Sequence, residues 1–140
     1  MKISNVTVEV TEEPVRHQFR WRAGLPGSGT SQINARLRIE TDEGITGVAE
    51  SAHGRIIAEL VDRRLRELLI DRDPLLKEDL WERIWEIDRI EELPIYALGL
   101  ADIALWDITA QVAGLPLYKL IGGYRDRIPA YASKIGRAHV

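Results

Sequence analysis

The chain has no cysteine in its 140 residues. That excludes disulfides, thiolate nucleophiles and thiolate metal sites, and it is compatible with a reducing compartment. No sign of charge dominates: 19 Lys and Arg stand against 22 Asp and Glu, for a net charge of −3. Such a balance makes no general case for nucleic acid or a membrane surface as partner. No apolar run reaches the ~18 residues of a membrane span. Met1-Lys2 is not followed by the apolar segment of a signal peptide, so a cytoplasmic location is the expectation. There is no internal repeat and no low-complexity tract. What remains is ordinary: 45% hydrophobic and 29% charged residues, enough for one soluble domain with a real core.

Alternation at Val6, Val8 and Val10 predicts a strand with one buried face, ended by Pro14. Gly24, Pro26, Gly27, Ser28 and Gly29 break the segment that follows. Ile33, Ala35, Leu37 and Ile39 predict a second strand, and residues 45–50 a third, with the turn at residues 41–44 joining them as a hairpin.

After Gly54 the apolar period becomes helical, at Ile57, Leu60, Val61, Leu65, Leu68 and Leu69, with Asp62 and Arg66 spaced to pair. Asp73 is expected to cap the next helix with Pro74 at its first position. That helix carries Leu80, Trp81, Ile84, Trp85 and Ile87. A third follows Pro94, with Leu98, Ala101, Ile103, Ala104, Leu105, Trp106, Ile108 and Val112 spread too widely for a narrow stripe. Such a helix packs against more than one neighbour. Gly114 suits its left-handed end and Pro116 prevents continuation. Asp102 and Asp107 lie about 140° apart around that axis and share no face. Strands first and helices after, without alternation, predict an α+β fold: a three-stranded antiparallel meander followed by a helical bundle.

One stretch is of a single charge sign. Residues 14–39 contain no acid but carry Arg16, Arg20, Arg22, Arg36 and Arg38, with Phe19 and Trp21 between the loop arginines. Guanidinium groups grip carboxylates through paired hydrogen bonds, and a field of one sign attracts anions. The bland reading is a solvated basic loop with Trp21 packed on the domain. His53, after Glu50-Ser51-Ala52 at a strand end, is open to either a ligand or an ordinary loop role. Neither His17 nor His53 has a partner at metal-ligand spacing. Trp81, Trp85 and Trp106 are expected in core and interface rather than in a stacking platform. The charges from Glu78 to Arg89 read as a solvated helix face.

The run Ala-Asp-Ile-Ala-Leu-Trp-Asp-Ile at residues 101–108, then Gly-Leu-Pro-Leu-Tyr-Lys-Leu-Ile-Gly-Gly at 114–123, resembles the last cap helix of the mandelate racemase and muconate-lactonising branch of the enolase superfamily. Asp73-Pro74 with Glu78, Trp81 and Trp85 resembles the preceding helix, and residues 44–50 the second hairpin strand. Where the family often has Gly-Lys, this chain has Ala110-Gln111. The resemblance implies residues 1–125 as an enolase-like N-terminal cap domain and residues 126–133 as the start of the first strand of a β/α barrel, which needs roughly 200 further residues. It implies Mg²⁺ held by barrel carboxylates, bases on barrel strands, and proton abstraction next to a carboxylate. None of those catalytic or metal positions lies in this chain, so the fragment alone is expected to be inactive and to bind no Mg²⁺ tightly. It implies a small hydroxy-acid or sugar-acid substrate, the barrel as partner and a homo-oligomeric parent. The parent reaction is read as acid-sugar dehydration. The alternatives are a racemase, epimerase or cycloisomerase, or a non-catalytic binding or oligomerisation module. The family's two cap loops close over the barrel and select substrate. By position they are residues 14–30 and 51–54, which makes Arg20, Trp21, Arg22 and His53 the candidate substrate-binding residues.

The last seven residues, 134–140, do not resemble the family. Ile-Gly-Arg-Ala-His-Val is what a common sequencing adapter encodes when read as ATC GGA AGA GCA CAC GTC, and its two preceding bases would complete a lysine codon before Ile135. A read-through tail is the expectation for 134–140. Sequencing the source gene tests it: different codons at 135–140 would refute it.

Overall fold

The computed structural model describes residues 1–16, 18, 20 and 22–131, and no side-chain statement is made for Ala97. Three strands come first: β1 (Ile3–Pro14), β2 (Ser31–Thr41) and β3 (Thr46–Ser51). They form one antiparallel sheet in the order β1-β2-β3. Register pairs Val6 with Ile39, Val8 with Leu37 and Val10 with Ala35, and on the other side Leu37 with Ala49 and Ile39 with Gly47. The apolar sets of all three strands therefore share one face, which the helices cover.

The helices follow as α1 (Gly54–Leu60), a π-helical turn (Val61–Leu65), α2 (Arg66–Leu69), α3 (Lys77–Glu91), α4 (Ile95–Ala113) and the short α5 (Leu117–Leu120). The first three run on as one rod. Its buried residues Val61, Leu65 and Leu69 recur every four positions, a longer period than the α-helix has. The π turn takes up that drift and keeps them facing the sheet. The expected Asp62–Arg66 pair forms at 2.7 Å, and Arg66 also donates to the Val6 carbonyl at 3.1 Å.

The core is made of Ile3, Val6, Leu37, Ile39, Ile57, Leu65, Leu69, Leu80, Ile84, Leu98, Leu105 and Ile108, each almost wholly buried. Burial of each such side chain stabilises the fold by about 1.5–3 kcal/mol. α4 crosses the sheet chiefly over β3. Gly47 is the contact point: a Cβ there would lie 2.1 Å from the Ala104 carbonyl oxygen and 2.8 Å from Ile108 Cγ1. Asp107 then accepts from the Val48 amide at 3.0 Å, and Gln111 donates to the Thr46 carbonyl at 2.7 Å. Helix side chains thereby satisfy backbone groups of edge strand β3 that would otherwise stand open. Gln111, at the departure from the family pattern, is one of them. α4 ends as expected, with Gly114 left-handed at φ +62°.

Three expectations are corrected. Asp73 does not cap α3. Its carboxylate accepts from the Leu75 amide at 3.0 Å in a separate turn, and α3 starts after Leu76. A short side chain bonds the amide two residues on in preference to one further along. Val10 is 43% exposed, because β1 extends beyond the helices that cover Val6. The core half of the tryptophan expectation is corrected: Trp81 and Trp106 are half-buried and Trp85 is 47% exposed, while the interface half concerns a partner outside the described residues. Residues 124–131 are exposed and form no strand pairing. Residues 132–140, which include the end of the expected barrel strand and the expected tail, lie outside the described residues.

Candidate functional site at one end of the sheet

The sheet brings both expected loops to the same end. Pro14 pairs with Ser31, and the Val15 amide donates to the Thr30 carbonyl at 2.9 Å, closing the base of the basic loop. β3 ends at Ser51, opposite Ala35. β2 therefore runs four residues further out than β3, roughly 13 Å at 3.3 Å per residue. The basic loop springs from that extension, and the 51–54 turn lies beside it. Gly54 is buried there because the turn is pressed onto β2: a Cβ would meet the Asn34 carbonyl oxygen and Ile33 Cγ2, both at 2.7 Å.

Arg20 and Arg22 are exposed on the loop. The Leu25 amide donates to the Arg22 carbonyl at 3.3 Å, and Gly24 supplies the positive φ of that bend, +85°. Among the described residues neither arginine has an ion-pair partner. Trp21, His17 and Phe19 lie outside the described residues. Arg36 and Arg38 are different. They project from the outer sheet face, where Arg36 meets Glu50 at 2.7 Å and Arg38 meets Glu40 at 3.7 Å. Their charge is locally answered, and Glu50 holds the Arg36 guanidinium above its ordinary pKa by hydrogen bond and charge.

His53 is the residue before α1, and its carbonyl accepts from the Ile57 amide at 3.1 Å. Its exposed ring lies 4.6 Å from that of Tyr96, centroid to centroid, at an interplanar angle of 44°. Tyr96, in the first turn of α4, is absent from the sequence reading. No periodicity or spacing links it to His53. The structure places His53 at the same end as Arg20 and Arg22 without a contact between them among the described residues.

A hollow of about 400 Å³ lies on the outer sheet face, lined by Glu9, Glu13, Gln32, Asn34, Arg36 and Glu50 among others. Three carboxylates against one guanidinium already engaged by Glu50 suit no anionic substrate. Among the described residues no group of three or more His, Asp or Glu could hold a metal ion. A hard divalent cation requires several oxygen ligands, so the described residues do not fit Mg²⁺. Asp102 has its carboxyl pushed upward, first by burial and then by the nearby charge of Glu78; among the described residues no third ligand joins the two.

An antiparallel sheet with helices on one face and two loops at one end, with no metal-binding cluster among the described residues, is the architecture of a capping domain. Comparison with known proteins agrees. Residues 5–122 match the model of the mandelate racemase / muconate lactonizing enzyme N-terminal domain. The chain is similar to the D-galactonate dehydratase family member RspA of Halomonas elongata, at 38% identity over 107 residues, covering 72% of this chain and 27% of that protein. It is similar to the D-mannonate dehydratase of Rhizorhabdus wittichii, at 39% identity with the same coverages. Among solved structures, D-glucarate dehydratase from Agrobacterium tumefaciens complexed with magnesium superposes with a TM-score of 0.75 at 32% identity, over 90% of this chain and 34% of that one. The chain belongs to the mandelate racemase / muconate lactonizing enzyme family and carries its N-terminal domain. It spans about a quarter of the length of the curated relatives it matches. No helix among the described residues is long and apolar enough to cross a membrane.

Proposed function

We propose that the chain is the substrate-selecting cap of an enolase-superfamily enzyme that dehydrates a sugar acid. One observation carries the selecting role: two exposed arginines, without an ion-pair partner among the described residues, and an exposed histidine come to one end of the sheet, on the two loops that border it. The dehydratase names of the relatives support the reaction class. In such a reaction a proton leaves the carbon next to the carboxylate and hydroxide leaves the following carbon. Mg²⁺ supplies charge stabilisation at the carboxylate oxygens in this chemistry, and it is assigned to a β/α barrel outside residues 1–131. Arg20 and Arg22 attract and clamp the carboxylate or a neighbouring polar group, and Trp21 with His53 helps to exclude water. Residues 1–125 are assigned to the cap, 126–133 to the entry of the barrel and 134–140 to a read-through tail. The parent is assigned as a cytoplasmic homo-oligomer.

The surface supports the docking half of this reading. Ile103 and Val112 on α4, Leu117 and Tyr118 on α5 and Ile121 just after it are all more than a third exposed. Exposed large apolar side chains in that number suit cover by a further domain or by association. The test is the gene's longer product assayed on a panel of sugar acids. Formation of a 2-keto-3-deoxy acid is expected. Exchange of the α-proton with deuterated solvent without loss of water would assign a racemase or epimerase instead.

A further inference from the structure

We propose that Tyr96 is a positioning residue for His53, holding the imidazole at the rim of the gate by contact between the two rings. The inference rests on the gate reading above. The rings come from separate elements, the turn after β3 and the first turn of α4. Their centroids are 4.6 Å apart at 44°, within the range and tilt at which aromatic pairs attract one another. Neither ring is in the core: Tyr96 is 44% exposed and His53 is exposed. The pairing is therefore not an accident of dense packing.

The two partners are held in different ways. The backbone at His53 is pinned, because Gly54 behind it lies against Ile33 and Asn34. The imidazole itself makes no side-chain cap to α1 and has no hydrogen-bond partner among the described residues. The Tyr96 ring is what restrains its rotation. Tyr96 in turn stands on a rigid base, since Leu98, Leu100, Ala101 and Ala104 in the next turns of α4 are buried against the sheet side of the domain. A site residue performs best when a neighbouring side chain locks its rotamer before the ligand arrives, because less freedom is then lost on binding.

The experiment has two arms. In the 140-residue chain, the His53 imidazole proton resonances carry the ring-current shift of Tyr96. Tyr96→Leu is expected to return them to random-coil positions and Tyr96→Phe to retain the shift; unchanged resonances in Tyr96→Leu overturn the proposal. In the gene's longer product, Tyr96→Leu is expected to raise KM for the acid substrate roughly 2- to 10-fold with little change in kcat. Tyr96→Phe recovers most of the loss, and Tyr96→Leu has no further effect in a His53→Ala background. If His53→Ala raises KM but Tyr96→Leu does not, the positioning role is refuted. If His53→Ala itself leaves KM unchanged, the gate reading of His53 fails, whatever the spectra show.

Discussion

Replacing Gly47 by alanine tests how α4 is seated on the sheet. The added Cβ would lie 2.1 Å from the Ala104 carbonyl oxygen and 3.0 Å from its carbon, with Ile108 Cγ1 at 2.8 Å. The first obstacle is helix backbone, which cannot turn aside as a side chain can. Carbon and oxygen come no closer than about 3.3 Å even in favourable contacts, so α4 must retreat by roughly 1 Å. Overpacking of that kind costs about 1–3 kcal/mol. The same retreat lengthens the bonds from the Val48 amide to Asp107 and from Gln111 to the Thr46 carbonyl, now 3.0 and 2.7 Å. Losing them adds about 1–3 kcal/mol together. Gly47→Ala should therefore destabilise the chain by about 2–6 kcal/mol, a large part of a typical stability of about 5–15 kcal/mol. Urea unfolding measures it directly. Gly99→Ala is the control: Gly99 is also in α4, yet a Cβ there meets nothing within 4 Å. That change should stabilise by about 0.5–1 kcal/mol through helix propensity. A Gly47→Ala chain within about 0.5 kcal/mol of the parent would show that α4 does not press on β3 at this point.

Asp107→Ala leaves the Val48 amide without its acceptor and should cost about 1–3 kcal/mol in urea unfolding; an unchanged midpoint would refute the edge-strand role. Glu91 accepts from Arg64 at 2.6 Å and faces Arg63 at 3.1 Å, and the Arg64 hydrogen bond is the first cause holding its carboxyl below the ordinary 4.5. Its contribution is therefore present above that value and is lost as pH falls through the lower folded value. Glu91→Gln should be less stable near neutrality and converge with the parent in strong acid; equal slopes of stability against pH on the acid side would refute this. Asp102 has the opposite sign, since burial raises its carboxyl. The native state there prefers the proton, and its relative stability falls as pH rises through the ordinary Asp range. Asp102→Asn should stabilise the chain near neutral pH and make no difference at about pH 3; a destabilised variant at neutral pH would contradict it.

Much of this fold is legible in the sequence because its main signals are periodic. Alternation at Ile33, Ala35, Leu37 and Ile39 marks β2, and Gly114 with Pro116 marks the end of α4, since each is set by local chain geometry. What escapes is what depends on a distant partner. Gly47 reads as one more glycine until Ala104 is seen against it. The π turn follows from where the sheet needs Val61, Leu65 and Leu69, not from any residue in it. Val10 alternates like a core residue, yet nothing lies above it. Asp73 fits a helix cap by type and position, but its own turn competes successfully for the carboxylate. Within the candidate site, charge pattern is legible in the run from Arg16 to Arg38, while the division within it is not. Glu40, two residues along the same strand, answers Arg38, while Glu50 reaches Arg36 from β3, and only the sheet register brings that pair together. The His53–Tyr96 contact likewise needs the placement of α4 against the end of β3.

The central claim is that Arg20 and Arg22 meet substrate while Arg36 and Arg38 do not. The direct measurement is kcat/KM of the gene's longer product for its acid substrate, with each arginine replaced by alanine. Arg20→Ala and Arg22→Ala should each lose about 1.5–3 kcal/mol in kcat/KM, with fold and Mg²⁺ affinity unchanged. Arg36→Ala and Arg38→Ala, whose guanidinium groups are engaged by Glu50 and Glu40, should behave as surface substitutions, within about 0.5 kcal/mol. Equal losses at all four positions would mean that the stretch acts only through its summed field, and would contradict the gate.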